Sequence, residues 1–157
     1  MVILAGARLD ATDFVLPDPL AGHGNGDNTI TATSWTVLPS FPVTLTLSNP
    51  HPTLNMLVDV RYGAWLSASA NAVRIGIDIT GSVTLSPGVG AGGASGWGEI
   101  PATGTSTLTQ SSGSFTIKLP PSATAATFRI HAYRDSATGT QLVRFPTLRL
   151  IPLRYTT

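Results

Sequence analysis

Cysteine is absent from this 157-residue chain, and charged residues make up only 11% of it. The lack of cysteine excludes disulfide frameworks, thiolate nucleophiles and cysteine-ligated zinc sites. The charged fraction is less than half of the roughly 25% that is typical of globular domains. Because the length suits one domain and allows a sizeable core, we expect a single fold held together by apolar packing.

The chain also lacks a charge excess and a long apolar run. Nine Lys and Arg against eight Asp and Glu leave a formal net charge of +1. A field this weak does not attract phosphate backbones or anionic lipid, so we expect no nucleic-acid partner. No run approaches the roughly 20 apolar residues that span a bilayer. The N-terminus lacks the basic start and apolar region of a signal peptide, so we expect neither a leader nor membrane insertion.

Hydroxyl and turn-forming residues take the place of charge: the chain holds 22 Thr, 14 Ser, 16 Gly and 12 Pro. Thr favours strands, whereas Gly, Pro and Ser favour the turns between them. Apolar residues recur with a period of two, most clearly over 73–80, where Val and Ile alternate with polar residues and glycine. About eight to ten short strands are expected, which indicates an all-β, antiparallel, jelly-roll-like β-sandwich.

Turn signals predict three hairpins. The first returns from 73–80 through Gly81 and Ser82 to a strand at 83–85, and the second turns at residues 111–113 inside 105–119. The third joins 126–132 to 142–145 through the sequence DSATG, with Gly139 in the left-handed conformation. We also expect a bulge or bend at Gly63, and an edge or bulge position for Pro152.

Residues 1–33 differ in composition from the rest. Pro17, Pro19 and the run GHGNGDN allow at most a short helical turn. We expect an N-terminal arm over 1–33 that anchors the protein or contacts another subunit, followed by the β-sandwich domain over 34–157. The anchoring side chains of this arm are expected to be Leu4, Leu9 and Phe14.

The titratable residues form no recognisable catalytic or metal-ligating pattern in the sequence. The three histidines lie in unrelated sequence settings, no GxSxG motif is present, and Glu99 is the only glutamate. We expect Asp59 and Asp78 to pair with arginines on neighbouring strands. A calcium site is conceivable at His23–Asn28, but a turn-rich loop is the preferred interpretation. The chain is therefore expected to be no enzyme and to hold no metal or cofactor.

Three aromatic residues, Trp65, Trp97 and Tyr133, are candidates for a platform on which a sugar stacks. Trp65 is expected to pack in the core. Trp97 lies in a glycine-rich segment over 86–103, longer than most structureless loops, where no strand is predicted to bury it. It either plugs the sandwich or a neighbouring subunit, or contacts a ligand. Trp97 and Tyr133 are the candidate contacts for a partner or a glycan.

Several segments resemble known viral sequences. The opening VILAGARLDATDF resembles the start of small virion proteins of actinobacterial tailed phages. The segments RYGAWLSASANAVRIGIDITG, GWGEIP, FRIHAYRDSATGT and LIPLRY resemble the β-domains of phage minor tail or head-decoration proteins. This resemblance implies a non-enzymatic virion protein that is assembled in the host cytoplasm, with itself as a homotrimer and with other virion proteins. A carbohydrate-binding module that adheres to a host-surface glycan is the alternative hypothesis.

Overall fold

The computed structural model describes residues 15–68, 72–83, 108–121, 125–135 and 138–157, and the backbone of 97–100. All regular structure in these residues is β. The ten strands are β1 (Leu20–His23), β2 (Asp27–Thr29), β3 (Thr36–Val37), β4 (Thr44–Leu47), β5 (Asn55–Ala68), β6 (Val73–Gly81), β7 (Trp97–Ile100), β8 (Thr109–Leu119), β9 (Ala126–Arg134) and β10 (Gln141–Thr156).

The strands form two antiparallel sheets with matching layouts. Sheet A has the order β1-β10-β5-β8, and β2 pairs with β10 beyond the end of β1. Sheet B has the order β3-β9-β6-β7, and β4 pairs with β9 beyond the end of β3. Each sheet thus has a central pair of longer strands, one further strand on one side and two short strands in succession on the other. The expected antiparallel β-sandwich is confirmed.

The core lies between the two sheets and follows the alternation of the central strands. In β6, Val73, Ile75, Ile77 and Ile79 are fully buried. Even-numbered residues of β5 from Met56 to Ala68 face them across the core and are also buried. Each such aliphatic side chain contributes on the order of 1.5–3 kcal/mol by leaving water. The period of two in the sequence therefore predicts the core face of these strands correctly.

Two buried asparagines attach loops to the sandwich. Asn28 donates from Nδ2 to the carbonyl oxygen of Val143, while its Oδ1 accepts from the backbone N–H groups of Ser40 and Phe41. Asn49 donates from Nδ2 to the carbonyl oxygens of three residues and accepts one backbone N–H bond; the four partners are Leu54, Leu119, Pro120 and His51. These amides stand in for backbone partners that the loops lack.

Two of the three hairpin predictions are wrong, and the return strand of the first lies mostly outside the described residues. Ser82 and Val83 lie in a bend, and Leu85 lies outside the described residues. Residues 111–113 lie inside β8, which pairs with β5 without interruption. Gly113 is required there because a Cβ would lie 2.6 Å from the hydroxyl oxygen of Tyr62.

The DSATG segment follows β9 of sheet B and leads to β10 of sheet A, so it crosses between sheets. Its Gly139 does take a positive φ of 79°.

The expected bulges occur, but on β10. The register between β5 and β10 shifts between Arg144 and Thr147, and again between Pro152 and Arg154. The position of Pro152 at a bulge is confirmed, since proline cannot donate to a ladder. Near Gly63 the extra residue belongs to the partner strand, and β5 itself continues in register with β8.

The sandwich begins earlier than the sequence suggested. β1 and β2 both pair with β10, and Ile30 is part of the core. The hydroxyl of Tyr155 also donates to the carbonyl oxygen of Val15 at 2.8 Å. Residues 20–30, which the sequence assigns to the arm, are therefore part of the described sandwich. The segment 1–14, which includes Leu4, Leu9 and Phe14, lies outside the described residues.

Candidate functional site

The outer face of sheet A carries an exposed tryptophan. In β5 the alternation that buries Ala64 and Leu66 turns Trp65 outward, where 40% of it is exposed. The expectation of a core position is wrong for this residue, because Trp65 shares the phase of Asp59 and Arg61, the polar side of the strand. Odd-numbered positions of this strand carry the polar residues, and this alternation in the sequence identifies Trp65 as a surface residue.

A bulge in β10 adds a second aromatic ring beside it. Phe145 and Pro146 together oppose Ala64, so Arg144 and Phe145 both lie on the outer side while Pro146 is buried. Phe145 has a φ of 47° and is 51% exposed. Positive φ is rare for a bulky residue and costs on the order of 1–2 kcal/mol. Backbone bonds to both sides of the bulge hold it: Phe145 N–H donates to Gly26, and Gly24 N–H donates to Pro146.

The two aromatic residues line a shallow, open cleft of ≈ 570 Å³. Its floor includes Gly63, where a Cβ would lie 2.7 Å from the carbonyl oxygen of Ser111, so no side chain fits. One wall is formed by hydroxyl and amide residues of β8, among them Gln110, Ser112 and Ser114. Aromatic, hydroxyl and amide groups around a concave surface are the usual constituents of a small-molecule or sugar site.

Two arginines face each other at the far end of the cleft. Arg61 of β5 and Arg149 of β10 are directly opposed in the register and both line the cleft. Arg61 Nε donates to Asp59 at 2.7 Å. The side chain of Arg149 is exposed and forms no hydrogen bond or ion pair with another described residue. Like charges directly opposite one another destabilise a sheet, so this pair calls for an explanation beyond packing.

The arginine pair belongs to a wider charge excess. The strands of sheet A carry five cations against two carboxylates, a formal excess of three positive charges in a chain whose net charge is +1. The cations are Arg61, Lys118, Arg144, Arg149 and Arg154; the carboxylates are Asp27 and Asp59, which pair with Arg144 and Arg61. The strands of sheet B carry a formal excess of one positive charge, and the carboxylates that lower the net charge of the chain to +1 lie outside the described strands.

Tyr133, one of the two predicted contact residues, does not lie in this cleft. It is on β9 of sheet B and only 5% exposed. Its ring forms a T-shaped contact with the ring of Trp35, with 4.6 Å between the ring centroids. Its hydroxyl accepts a hydrogen bond of 2.6 Å from Arg74. The guanidinium of Arg74 also lies 5.4 Å from the ring centroid. The ring faces of Tyr133 are thus engaged within the protein.

Trp97, the other predicted contact, lies in a strand. The backbone of β7 places it opposite Gly76 of β6, at the side of sheet B away from β9. The expectation that no strand includes Trp97 is therefore wrong, because the 86–103 segment contributes four residues to the sheet. Trp97 and Tyr133 belong to sheet B, while Trp65 and the cleft belong to sheet A, so the structure does not bring the predicted contacts together with the cleft.

The titratable residues of sheet B form a separate set. Nε2 of His131 lies 3.7 Å from the Asp78 carboxylate, and burial lowers the pKa of His131 below its usual value of 6.5. Asp78 therefore approaches a histidine instead of the expected arginine, although Arg129 lies opposite it in the register. Within the described ranges no group of three or more His, Asp or Glu side chains could hold a metal ion. Those ranges contain no helix long and apolar enough to cross a membrane.

Comparisons with known proteins add little to this description. No protein-family model matches the chain, and no curated protein matches it. Two structures of infectious bursal disease virus are similar over almost the whole chain. The structure of the Gx strain has a TM-score of 0.40 and 11% sequence identity, and the match covers 94% of this chain. The structure of the Gt strain has a TM-score of 0.31 and 16% sequence identity, and the match covers 97% of this chain. The chain spans 38% and 39% of the lengths of those two chains.

Proposed function

We propose that this chain is a non-enzymatic structural protein of a virion, assembling with itself and with neighbouring virion proteins as a minor tail or capsid decoration protein. The observation that carries the assembly part is the edge of sheet A at β8, where the described residues provide no second partner strand. β8 is an eleven-residue strand that pairs with β5 on one side, and no other described strand pairs with it. An edge of this length exposes a row of backbone N–H and C=O groups that can pair with another chain.

The sequence of β8 supports this use of the edge. Natural edge strands are commonly blunted by proline, by several charges or by bulges. β8 contains no proline, one charge at Lys118, and no register shift along its pairing with β5. The low charge of the whole chain also weakens the repulsion that keeps copies apart. The resemblance to phage tail and decoration proteins supplies the virion setting.

Light scattering after gel filtration, combined with amide hydrogen exchange, tests the assembly. We expect a closed oligomer, with the trimer favoured, in which successive β8 amides exchange slowly because both sides of the strand are paired. A monomer whose β8 amides alternate between slow and fast exchange would overturn assembly through this edge. The β9 amides serve as an internal reference, since β9 is paired on both sides along most of its length.

Incorporation into particles tests the virion role. The variant to use lacks residues 1–14, because this deletion spares β1 and the Tyr155 bond to Val15. We expect the shortened chain to fold but to be missing from purified particles, which would assign the anchoring role to that segment. Absence of the full-length chain from the particles would overturn the virion role itself.

A further inference from the structure

We infer that the cleft on the outer face of sheet A binds an acidic oligosaccharide, with a sugar ring on Trp65 and a carboxylate at Arg149. This inference goes beyond the proposed function and does not depend on it. A virion protein could lack such a site, and a sandwich from any source could carry it.

The stacking part rests on Trp65 and Phe145. Both rings are on the outer face, and both line the cleft. The bulge in β10 turns Phe145 outward at the expense of a positive φ. Strained backbone retained beside a concave surface points to a use for the residue that it exposes. Aromatic rings offer large apolar faces at low conformational cost, which suits the apolar faces of sugar rings.

The acidic part rests on Arg149 and its surroundings. Arg61 already donates to Asp59, and Arg144 to Asp27, so each of these cations has a partner. Arg149 lies opposite Arg61 with no described carboxylate bound to it. A guanidinium binds a carboxylate through two parallel N–H bonds, and such a ligand would also relieve the repulsion between the two arginines.

The length of the ligand follows from the strand geometry. Trp65 and Arg61 lie four residues apart on β5, which places their Cα atoms roughly 13–14 Å apart at 3.3–3.4 Å per residue. Arg149 is directly opposite Arg61, so it is at a similar distance from Trp65. One sugar ring cannot cover both residues. Gly63 leaves the floor between them free of a side chain, and the β8 hydroxyl groups can bond the sugar hydroxyls.

Isothermal titration with defined sugars tests the inference. The acidic probes are trigalacturonic acid and 3′-sialyllactose; the neutral probes are the methyl-esterified trimer and lactose; galacturonic acid is the single-ring probe. We expect at least one acidic oligosaccharide to bind with a dissociation constant on the order of 1 mM or tighter, and the neutral and single-ring probes to bind at least about tenfold more weakly. No binding of either acidic oligosaccharide at roughly ten times that concentration would overturn the inference, as would equal binding of the neutral forms.

Three variants locate the site. Trp65→Ala and Arg149→Gln should each weaken binding by about tenfold or more. Lys118→Gln removes one positive charge from the same face outside the cleft, so it should change binding by less than about twofold. If Lys118→Gln weakened binding as much as Arg149→Gln, the binding would be explained by general attraction to the positive face, and the assignment of the site to the cleft would be overturned.

The same variants separate this inference from the proposed assembly. If Trp65→Ala dissociates the oligomer while no acidic sugar binds, the cleft is covered by a second copy of the chain and the glycan inference is overturned. If the chain is monomeric yet binds the acidic sugars through Trp65 and Arg149, assembly fails and the inference stands. Thermal unfolding of each variant confirms that these exposed substitutions leave the sandwich folded.

Discussion

The outer faces of the two sheets use their charged side chains in different ways. On sheet B, Arg74 binds both the hydroxyl of Tyr133 and the carboxylate of Asp135, and His131 lies beside Asp78. On sheet A, two arginines oppose each other and one of them has no described partner. The apolar inner faces are alike, so folding alone does not require this difference. Sheet B thus has a network that joins one arginine to a tyrosine hydroxyl and a carboxylate, whereas sheet A has, beside the ion pairs of Arg61 and Arg144, an exposed arginine without a described partner.

The largest effect should come from the charge network of sheet B. Arg74→Gln removes charge-assisted bonds to Tyr133 and Asp135, and it also removes the cation that lies against the Tyr133 ring. We expect the free energy of unfolding to fall by about 1.5–3 kcal/mol, measured by urea denaturation. A loss no larger than that of an exposed polar substitution on the same sheet, such as Thr44→Ala, would remove the distinction between the two faces.

A smaller effect of opposite sign is expected at the bulge. Phe145→Asn replaces a bulky residue at φ 47° with one that tolerates the left-handed region. We expect the free energy of unfolding to rise by about 1 kcal/mol, because the half-exposed ring contributes little packing. The control is Val37→Asn, an exposed strand residue in sheet B without positive φ, which should lower stability. Equal losses in both variants would argue against strain at Phe145.

Removal of one arginine of the opposed pair on sheet A should also raise the free energy of unfolding of the protein. Arg149→Gln removes the charge opposite Arg61, and we expect a gain of about 0.2–1 kcal/mol in dilute buffer. The gain should shrink in about 1 M salt, where the Debye length is about 3 Å. Arg154→Gln is the matched control, because Arg154 lies opposite Leu57. A loss of stability in Arg149→Gln would show that its stem packs usefully and that the pair needs no ligand to explain it.

The smallest effect concerns the histidine of sheet B. Burial, with a further contribution from Arg129, lowers the pKa of His131 in the folded state, and Asp78 partly offsets this. The unfolded chain therefore binds the proton more readily, so the stability is greatest above pH 6.5 and declines as the pH falls through the lowered pKa. His131→Gln should remove this part of the pH dependence of urea unfolding. An unchanged slope between pH 7 and pH 5 in that variant would assign the dependence to another group.

The sequence predicts the strands of this fold better than their partners. Alternation over 73–80 identifies the inner face of β6 because this strand has one buried side. The same pattern cannot say which sheet a strand joins, so the turn before β10 suggests a hairpin where the chain crosses between layers. Gly113 is a second example: it indicates a turn locally, but the nearby Tyr62 ring explains it, and that contact is not visible in sequence.

The cleft could be predicted only in part. The phase of Trp65 follows from the residues around it, and an exposed tryptophan beside Arg61 could have been inferred from the sequence. Phe145 could not, because simple alternation places it on the inner side and only the bulge turns it outward. The pairing of Arg61 with Arg149 depends on a register between residues 88 positions apart, which nothing local determines.

The position of β10 in the chain has a consequence for synthesis. β10 lies between β1 and β2, which come early in the sequence, and β5, which comes in the middle. Until residues 141–156 have emerged from the ribosome, β1 and β2 have no strand to pair with, and β5 has one open side. β6 and β9 of sheet B can pair before that point. The nascent chain therefore exposes the apolar inner face of one layer until almost all of the described chain has been made, and exposed apolar surface of this kind favours aggregation and chaperone binding.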